Sequence, residues 1–194
     1  MEELKKKIEE EGKVCQGEIL KVDSFLNHQI DVEFLEKIGQ EFYNIYKDEP
    51  VNKILTIEAS GVPIAVEVAK CFKCRALFAK KGKTKNLSDD FYETDVFSYT
   101  HGFNYRVVVS KEFLGPKDNV LIIDDFLANG QALLGLIDIV EKAKANLVGC
   151  GTVIEKGYQK GGTLIREKGI RVESLCIIDK LDYENQKIYF RQIR

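Results

Sequence analysis

The stretch VLIIDDFLANGQALLG, residues 120 to 135, sets two carboxylates, Asp124 and Asp125, directly after four apolar residues. A turn of small residues follows, Ala128-Asn129-Gly130-Gln131-Ala132, and then an apolar run at helical spacing. Adjacent carboxylates repel unless hydrogen-bonded or near a cation, and such a pair suits vicinal hydroxyls or Mg2+. A small-residue turn at a helix N-terminus aims backbone N–H groups along the positive end of the helix dipole, which suits a phosphate. Two further segments carry compatible chemistry. Glu58-Ala59-Ser60-Gly61 is another small-residue turn ahead of a helix, and Lys80-Lys81 opens a cationic one. Together these residue types describe a pocket for a sugar with a monophosphate at one end and a polyphosphate at the other.

Other readings of the same residues stay open at this point. Apolar residues followed by two acids also form a Walker B strand, but the phosphate loop ending in Lys83-Thr84 would need glycine at position 77, where Leu77 stands. A phosphate-accepting receiver domain uses paired acids, although at the end of its first strand. Asp125 could simply cap the following helix. The five cysteines include Cys71-Phe-Lys-Cys74, yet no second pair at zinc spacing accompanies them. They close a helical stretch rather than open one, so they read as free thiols of a reducing compartment.

The elements that must position these groups alternate between strand and helix. A charged first helix ends at Gly12, and residues 17 to 31 read as strand or extended chain. Asp31 caps a helix to about Tyr46, with Phe34, Leu35, Ile38 and Phe42 on one face. Strands are expected at 53–57, 75–79, 120–123 and 147–153, with helices after the first and third. Residues 103 to 114, RVESLCIID and KIYFRQI also read as strands, and residues 82 to 100 as a polar, mobile loop with short β arms. Continuous apolar strands interleaved with helices predict a mostly parallel sheet covered on both faces, of the doubly wound type. Ligands of such sheets gather beyond the carboxyl ends of the strands, which points to the loops after residues 57, 79, 123 and 154.

The length suits one domain over 1–194, and the formal charge of −2 gives no field to attract nucleic acid or an acidic membrane. No apolar run approaches the ~20 residues of a membrane-spanning helix. The start MEELKKKIEEEGK is too charged for a signal peptide, so the expected location is cytoplasmic.

With these residues the chain resembles the type I phosphoribosyltransferases, whose signature is four apolar residues, two acids, two apolar residues and a small-residue phosphate loop. VLIIDDFLANGQA departs from the common form: Asn129 and Ala132 replace hydroxyl residues, and Gln131 replaces glycine. That departure, with LKVDSFLNHQID and VIEKGYQ, is similar to the bacterial xanthine phosphoribosyltransferase branch, nearly end to end. The resemblance implies a central, mostly parallel sheet flanked by helices, a small hood from segment 1–30 and the C-terminal segment, and a lid at 82–100. It also implies transfer of phosphoribosyl from 5-phosphoribosyl 1-pyrophosphate to xanthine, with Mg2+ bound alongside the donor, in a homodimer. By motif position Ala128, Asn129, Gly130, Gln131 and Ala132 would cradle the 5′-phosphate, and Asp124 and Asp125 would hold the ribose hydroxyls. Ser60, Gly61, Lys80 and Lys81 would hold pyrophosphate, and Leu20, Asn27 and Lys156 would form the xanthine site. His28 reads as structural, and His101 carries no role. The same chemistry on hypoxanthine or guanine is the alternative substrate reading. A regulator that binds phosphoribosyl pyrophosphate without catalysis is the alternative class, although it should show a basic face or an added nucleic-acid module.

Overall fold

The computed structural model describes residues 1–82, 90–98 and 102–192. Its centre is the run of apolar strands anticipated from sequence. Strands β3 (Lys53–Ile57), β4 (Arg75–Lys81), β7 (Asn119–Leu127), β8 (Asn146–Lys156) and β9 (Val172–Asp182) pair in parallel. Antiparallel strands flank them: β10 (Lys187–Phe190) on one edge, then β6 (Phe103–Ser110) and β5 (Phe91–Ser98) on the other. The order is β10-β9-β8-β7-β3-β4-β6-β5.

Both faces of the sheet are covered, which is why its strands carry apolar residues without alternation. Ile54, Leu121 and Ile123 pack with Phe34, Ile38 and Phe42 of helix α2 (Val32–Tyr46) and Ile64 and Val68 of α3 (Gly61–Phe72). Their strand neighbours Leu55, Val120 and Ile122 pack with Leu133, Leu136 and Val140 of α4 (Gln131–Lys142). Asp31 starts α2 by accepting from the Phe34 amide at 3.1 Å. At the other end, Lys73 adopts φ 54° and closes α3, so Cys71 lies in its last turn and Cys74 just beyond. Helix α1 (Glu2–Glu11) buries Leu4 and Ile8 and is tied down by the Met1 ammonium donating to the Leu175 carbonyl at 2.8 Å.

Packing at the centre leaves no spare volume. A Cβ at Gly151 of β8 would sit 2.7 Å from Cε1 of Phe42 and 2.8 Å from Cδ1 of Ile123. Gly151→Ala should therefore destabilise the fold by about 1–3 kcal/mol through overpacking. Urea denaturation checks this, and an unchanged midpoint would show that the sheet and α2 part without cost.

Three segments differ from the sequence expectation. Residues 17 to 31 are more structured than extended chain. A hairpin of β1 (Lys13–Cys15) and β2 (Ile19–Lys21) turns at Gly17 and Glu18, with φ 80° and 59°, and a single π-helical turn follows over Asp23–Asn27. Much of the polar 82–100 segment is strand, since β5 pairs with β6 along all eight of its residues. Its polarity belongs to one face; Val96 is buried against α4, where a Cβ at Gly135 would lie 2.5 Å from it. Residues 83–89 and 99–100 of the expected lid lie outside the described residues, as does His101. Third, β7 does not stop before its acids.

Candidate active site

Strand β7 carries its ladder past Asp124 and Asp125, pairing Asp124 with Thr152 and Leu127 with Glu155 of β8. The sequence reading ended the strand at residue 123; the longer β8 keeps the ladder going. The acids are thereby held on rigid strand rather than on loop. Asp124 is only 4% exposed, and its Oδ1 accepts from the Asp125 amide at 3.0 Å. Burial, with the neighbouring Asp125 carboxylate second, holds the Asp124 carboxyl well above the usual range, while Lys81 pulls the other way.

The acid pair faces the N-terminus of α3. A Cβ at Gly61 would lie 2.1 Å from Thr56 Oγ1 and 3.2 Å from Asp124 Oδ1, so only glycine lets that turn approach the carboxylate. Ser60 caps α3 without a side-chain bond to it. The peptide Glu58–Ala59 is cis, and the Glu58 carboxylate accepts from the Lys81 amide, joining this turn to the end of β4. Lys81 Nζ lies 5.3 Å from the centre of the Tyr105 ring. Burial, and then the Asp124 charge, push that tyrosine's hydroxyl up. Lys80 is not brought to the same place. Strand side chains alternate, and Lys80 lines a groove with Phe78, Val108 and Phe113.

The turn 128–132 follows β7 and opens α4. Gly130 takes φ 80°, and the first helical bond runs from the Leu134 amide to the Gly130 carbonyl at 2.9 Å. The amides of Gln131, Ala132 and Leu133 therefore precede any intrahelical acceptor and remain donors for an anion. They border a cleft of about 200 Å3 that reaches Tyr105 and Val96.

At the far end of β8, Lys156 is half-buried and donates from Nζ to the Glu18 carbonyl at 3.0 Å. Tyr158 reaches the same carbonyl at 3.2 Å, so the hairpin tip is drawn over the end of the sheet, with Leu20 buried two residues on. Burial pushes the Lys156 ammonium down, opposed by Glu18. Asn27 closes the π-helical turn with its Oδ1 buried and no partner among the described residues, an acceptor in need of a donor. His28 is exposed beside it. From the opposite end of the chain, Gln186 Nε2 donates to the Val14 carbonyl at 3.0 Å, so the C-terminal strands support the hairpin.

One cluster carried no sequence signal. Glu155, next to Lys156, is 3% exposed and receives two bonds from Arg166, at 2.8 and 2.7 Å, and one from the Ser174 hydroxyl. Only the glycine pair at 161–162 hinted at crowding there, in the helix α5 (Gly161–Arg166) that follows.

A buried Asp124 and a half-buried Asp125, beside two small-residue turns that open helices at the carboxyl ends of a parallel sheet, define the class. The chain belongs to the phosphoribosyl transferase domain family, whose model matches residues 22–184. Within it, the chain is 52% identical over 191 residues to the xanthine phosphoribosyltransferase of Lachnoclostridium phytofermentans, covering 98% of each chain. It is 53% identical over 192 residues to that of Clostridioides difficile, covering 98% of this chain and 100% of the relative. Among solved structures, the adenine phosphoribosyltransferase of Leishmania donovani shares the fold at TM-score 0.73 and 20% identity, over 94% of this chain and 83% of the other. The Giardia lamblia APRTase matches at TM-score 0.68 and 27% identity, over 76% and 80%.

Proposed function

We propose that the protein transfers the 5-phosphoribosyl group from 5-phosphoribosyl 1-pyrophosphate to N9 of xanthine, giving XMP and pyrophosphate in purine salvage. The observation that carries this reading is the placing of Asp124 and Asp125 between the α3 and α4 N-termini. Relatives named xanthine phosphoribosyltransferase, 52% and 53% identical over 98% of the chain, support the choice of base.

In the reaction the bond from C1′ to the pyrophosphate oxygen breaks, a C1′–N9 bond forms and N9 gives up its proton. The protein's task is electrostatic and positional. The amides and side chains of Ala128 to Ala132 hold the 5′-phosphate. Asp124 and Asp125 hydrogen-bond the ribose hydroxyls and place negative charge beneath the cation developing at C1′. Ser60, Gly61 and Lys81 receive the departing pyrophosphate, while Lys80 is turned to the groove side of β4. Mg2+ fits the hard oxygens of the acid pair. No group of three acidic, histidine or cysteine side chains at metal-holding distance stands among the described residues, so the ion would draw most ligands from the donor's own oxygens and water. When bound, it supplies positive charge to the leaving pyrophosphate. We place the enzyme in the cytoplasm as a homodimer, without nucleic-acid or membrane partners; no helix of the described residues is long and apolar enough to cross a membrane.

Xanthine is a dioxopurine that ionises near neutrality, so its site should present a cation and amide groups. Lys156 supplies the first, and Asn27, with its unpartnered Oδ1, the second, beside the apolar wall of Leu20. Loss of one charge-assisted hydrogen bond costs about 1.5–3 kcal/mol. Lys156→Ala should therefore lower kcat/KM for xanthine by about 10- to 100-fold, with KM for the phosphoribosyl donor nearly unchanged. Steady-state kinetics with xanthine, hypoxanthine and guanine test both levels. A wild-type preference for hypoxanthine removes the assignment of base, and failure to release pyrophosphate with any purine would favour a regulator instead.

A further inference from the structure

The loop after Lys156, assigned above to the base, makes a second contact. It is wedged into the backbone of the turn read above as the phosphate cradle. The Gly161 amide donates to the Ala128 carbonyl at 3.0 Å. A Cβ on Gly161 would stand 2.3 Å from that oxygen, 2.5 Å from the Gly130 nitrogen and 2.8 Å from the Asn129 carbonyl carbon. The contact is mutual, since a Cβ on Gly130 would lie 2.9 Å from Gly161 Cα. Two glycine backbones are thus stacked with no side chain between them. Gly161 meets main-chain atoms, which cannot swing aside as a flexible side chain could.

Behind Gly161 the loop is clamped. A Cβ at Gly162 would meet Glu155 Oε1 at 2.0 Å, and the Glu155 carboxylate is gripped by Arg166 and Ser174. Arg166 also donates to the Val172 carbonyl at 3.2 Å, which ties the end of α5 to β9. The chain of contact runs from β9 through Arg166 and Glu155 to Gly162, Gly161 and the cradle.

We propose that Gly161 is a positioning residue for the 5′-phosphate cradle, and that the Glu155–Arg166 pair holds it in register. This rests on reading residues 128–132 as the phosphate site. The orientation of the cradle amides is then set by the same loop that begins with Lys156, so the base end and the phosphate end of the nucleotide share one scaffold.

Isothermal titration of the full-length protein with ribose 5-phosphate, and separately with magnesium pyrophosphate, tests it. Gly161→Ala should weaken ribose 5-phosphate at least tenfold while leaving pyrophosphate within twofold, and kinetics should show a raised donor KM. Arg166→Lys, which keeps the charge but loses the paired bonds, should show the same pattern at smaller amplitude, and it keeps the test alive if the alanine variant does not fold. Unchanged ribose 5-phosphate affinity in the folded variants overturns the proposal. Equal losses for both probes, the mark of general unfolding, overturn it as well. Wild-type protein that fails to bind ribose 5-phosphate would instead strike the phosphate reading beneath it.

Discussion

Asp125→Asn is expected to lower kcat by about 10²–10³-fold, the size seen when one preorganised group facing transition-state charge is removed. The substitution keeps the shape and removes the charge that would lie under the developing cation. Asp124→Asn should also reduce turnover, and it has a second, opposite consequence. Its carboxyl is buried and held well above the usual range, first by that burial and then by Asp125. The unfolded chain therefore releases this proton at lower pH than the folded protein does. Between those two points unfolding releases a proton, so stability falls as pH rises through the folded value, and the full cost remains above it. Asparagine has no proton to lose. The Asp124→Asn variant should melt at the parent's temperature below about pH 4, where the carboxyl is protonated in both states, and above it near neutrality. Thermal melts across pH, run beside kinetics, measure both effects. Full activity in Asp125→Asn would remove it from the mechanism. A neutral-pH melting temperature lowered by Asp124→Asn would mean that the carboxyl is ionised and paired in the folded protein.

Much of this site could be read from the chain because its parts are local. ILTI, VLII and TVI are continuous apolar runs, and a strand buried on both faces leaves that trace whatever its neighbours are. The proposed cradle and the α3 turn each lie within a few residues of their strands, where the rule for parallel sheets directs attention. What escaped depends on partners distant in sequence. β7 extends through its acids because β8 is eleven residues long and offers them a ladder. The hairpin of residues 13–21 is held by Lys156, Tyr158 and Gln186, which no window around Glu18 contains. Lys80 and Lys81 looked equivalent as a cationic pair, yet strand alternation separates them, and that much could have been drawn from the sequence once RALFAKK was read as strand. The proposed xanthine site needed the family resemblance, because nothing in the composition of a lysine and an asparagine marks them as a base reader.

Glu155 illustrates the remaining gap and sets the largest expected loss of stability. A glutamate between an isoleucine and a lysine gives no sign of being buried, but here the carboxylate is 4% exposed and depends on Arg166, whose side chain is 37% exposed. Removing one partner of a buried pair leaves an uncompensated charge, worth about 3–5 kcal/mol. Partial exposure of Arg166 lets some water in, so Arg166→Ala belongs at the lower end, about 3 kcal/mol. Burial alone would push the Glu155 carboxyl up, but bonds from Arg166 and Ser174 prevail and hold it below the usual value. A depressed folded value contributes stability above the unfolded value near pH 4.3, lost as pH falls through the folded one. Without Arg166 only the Ser174 bond and the Arg191 charge oppose the burial, and with burial then prevailing the variant's deficit should shrink steadily from pH 7 to about pH 4. Adding Glu155→Gln to Arg166→Ala should recover part of the loss at pH 7, since the amide carries no charge to strand. Urea denaturation at the two pH values distinguishes these cases. A deficit equal at both would mean that Arg166 contributes by packing its stem rather than by meeting the charge, and the cradle would then rest on the glycine contact alone.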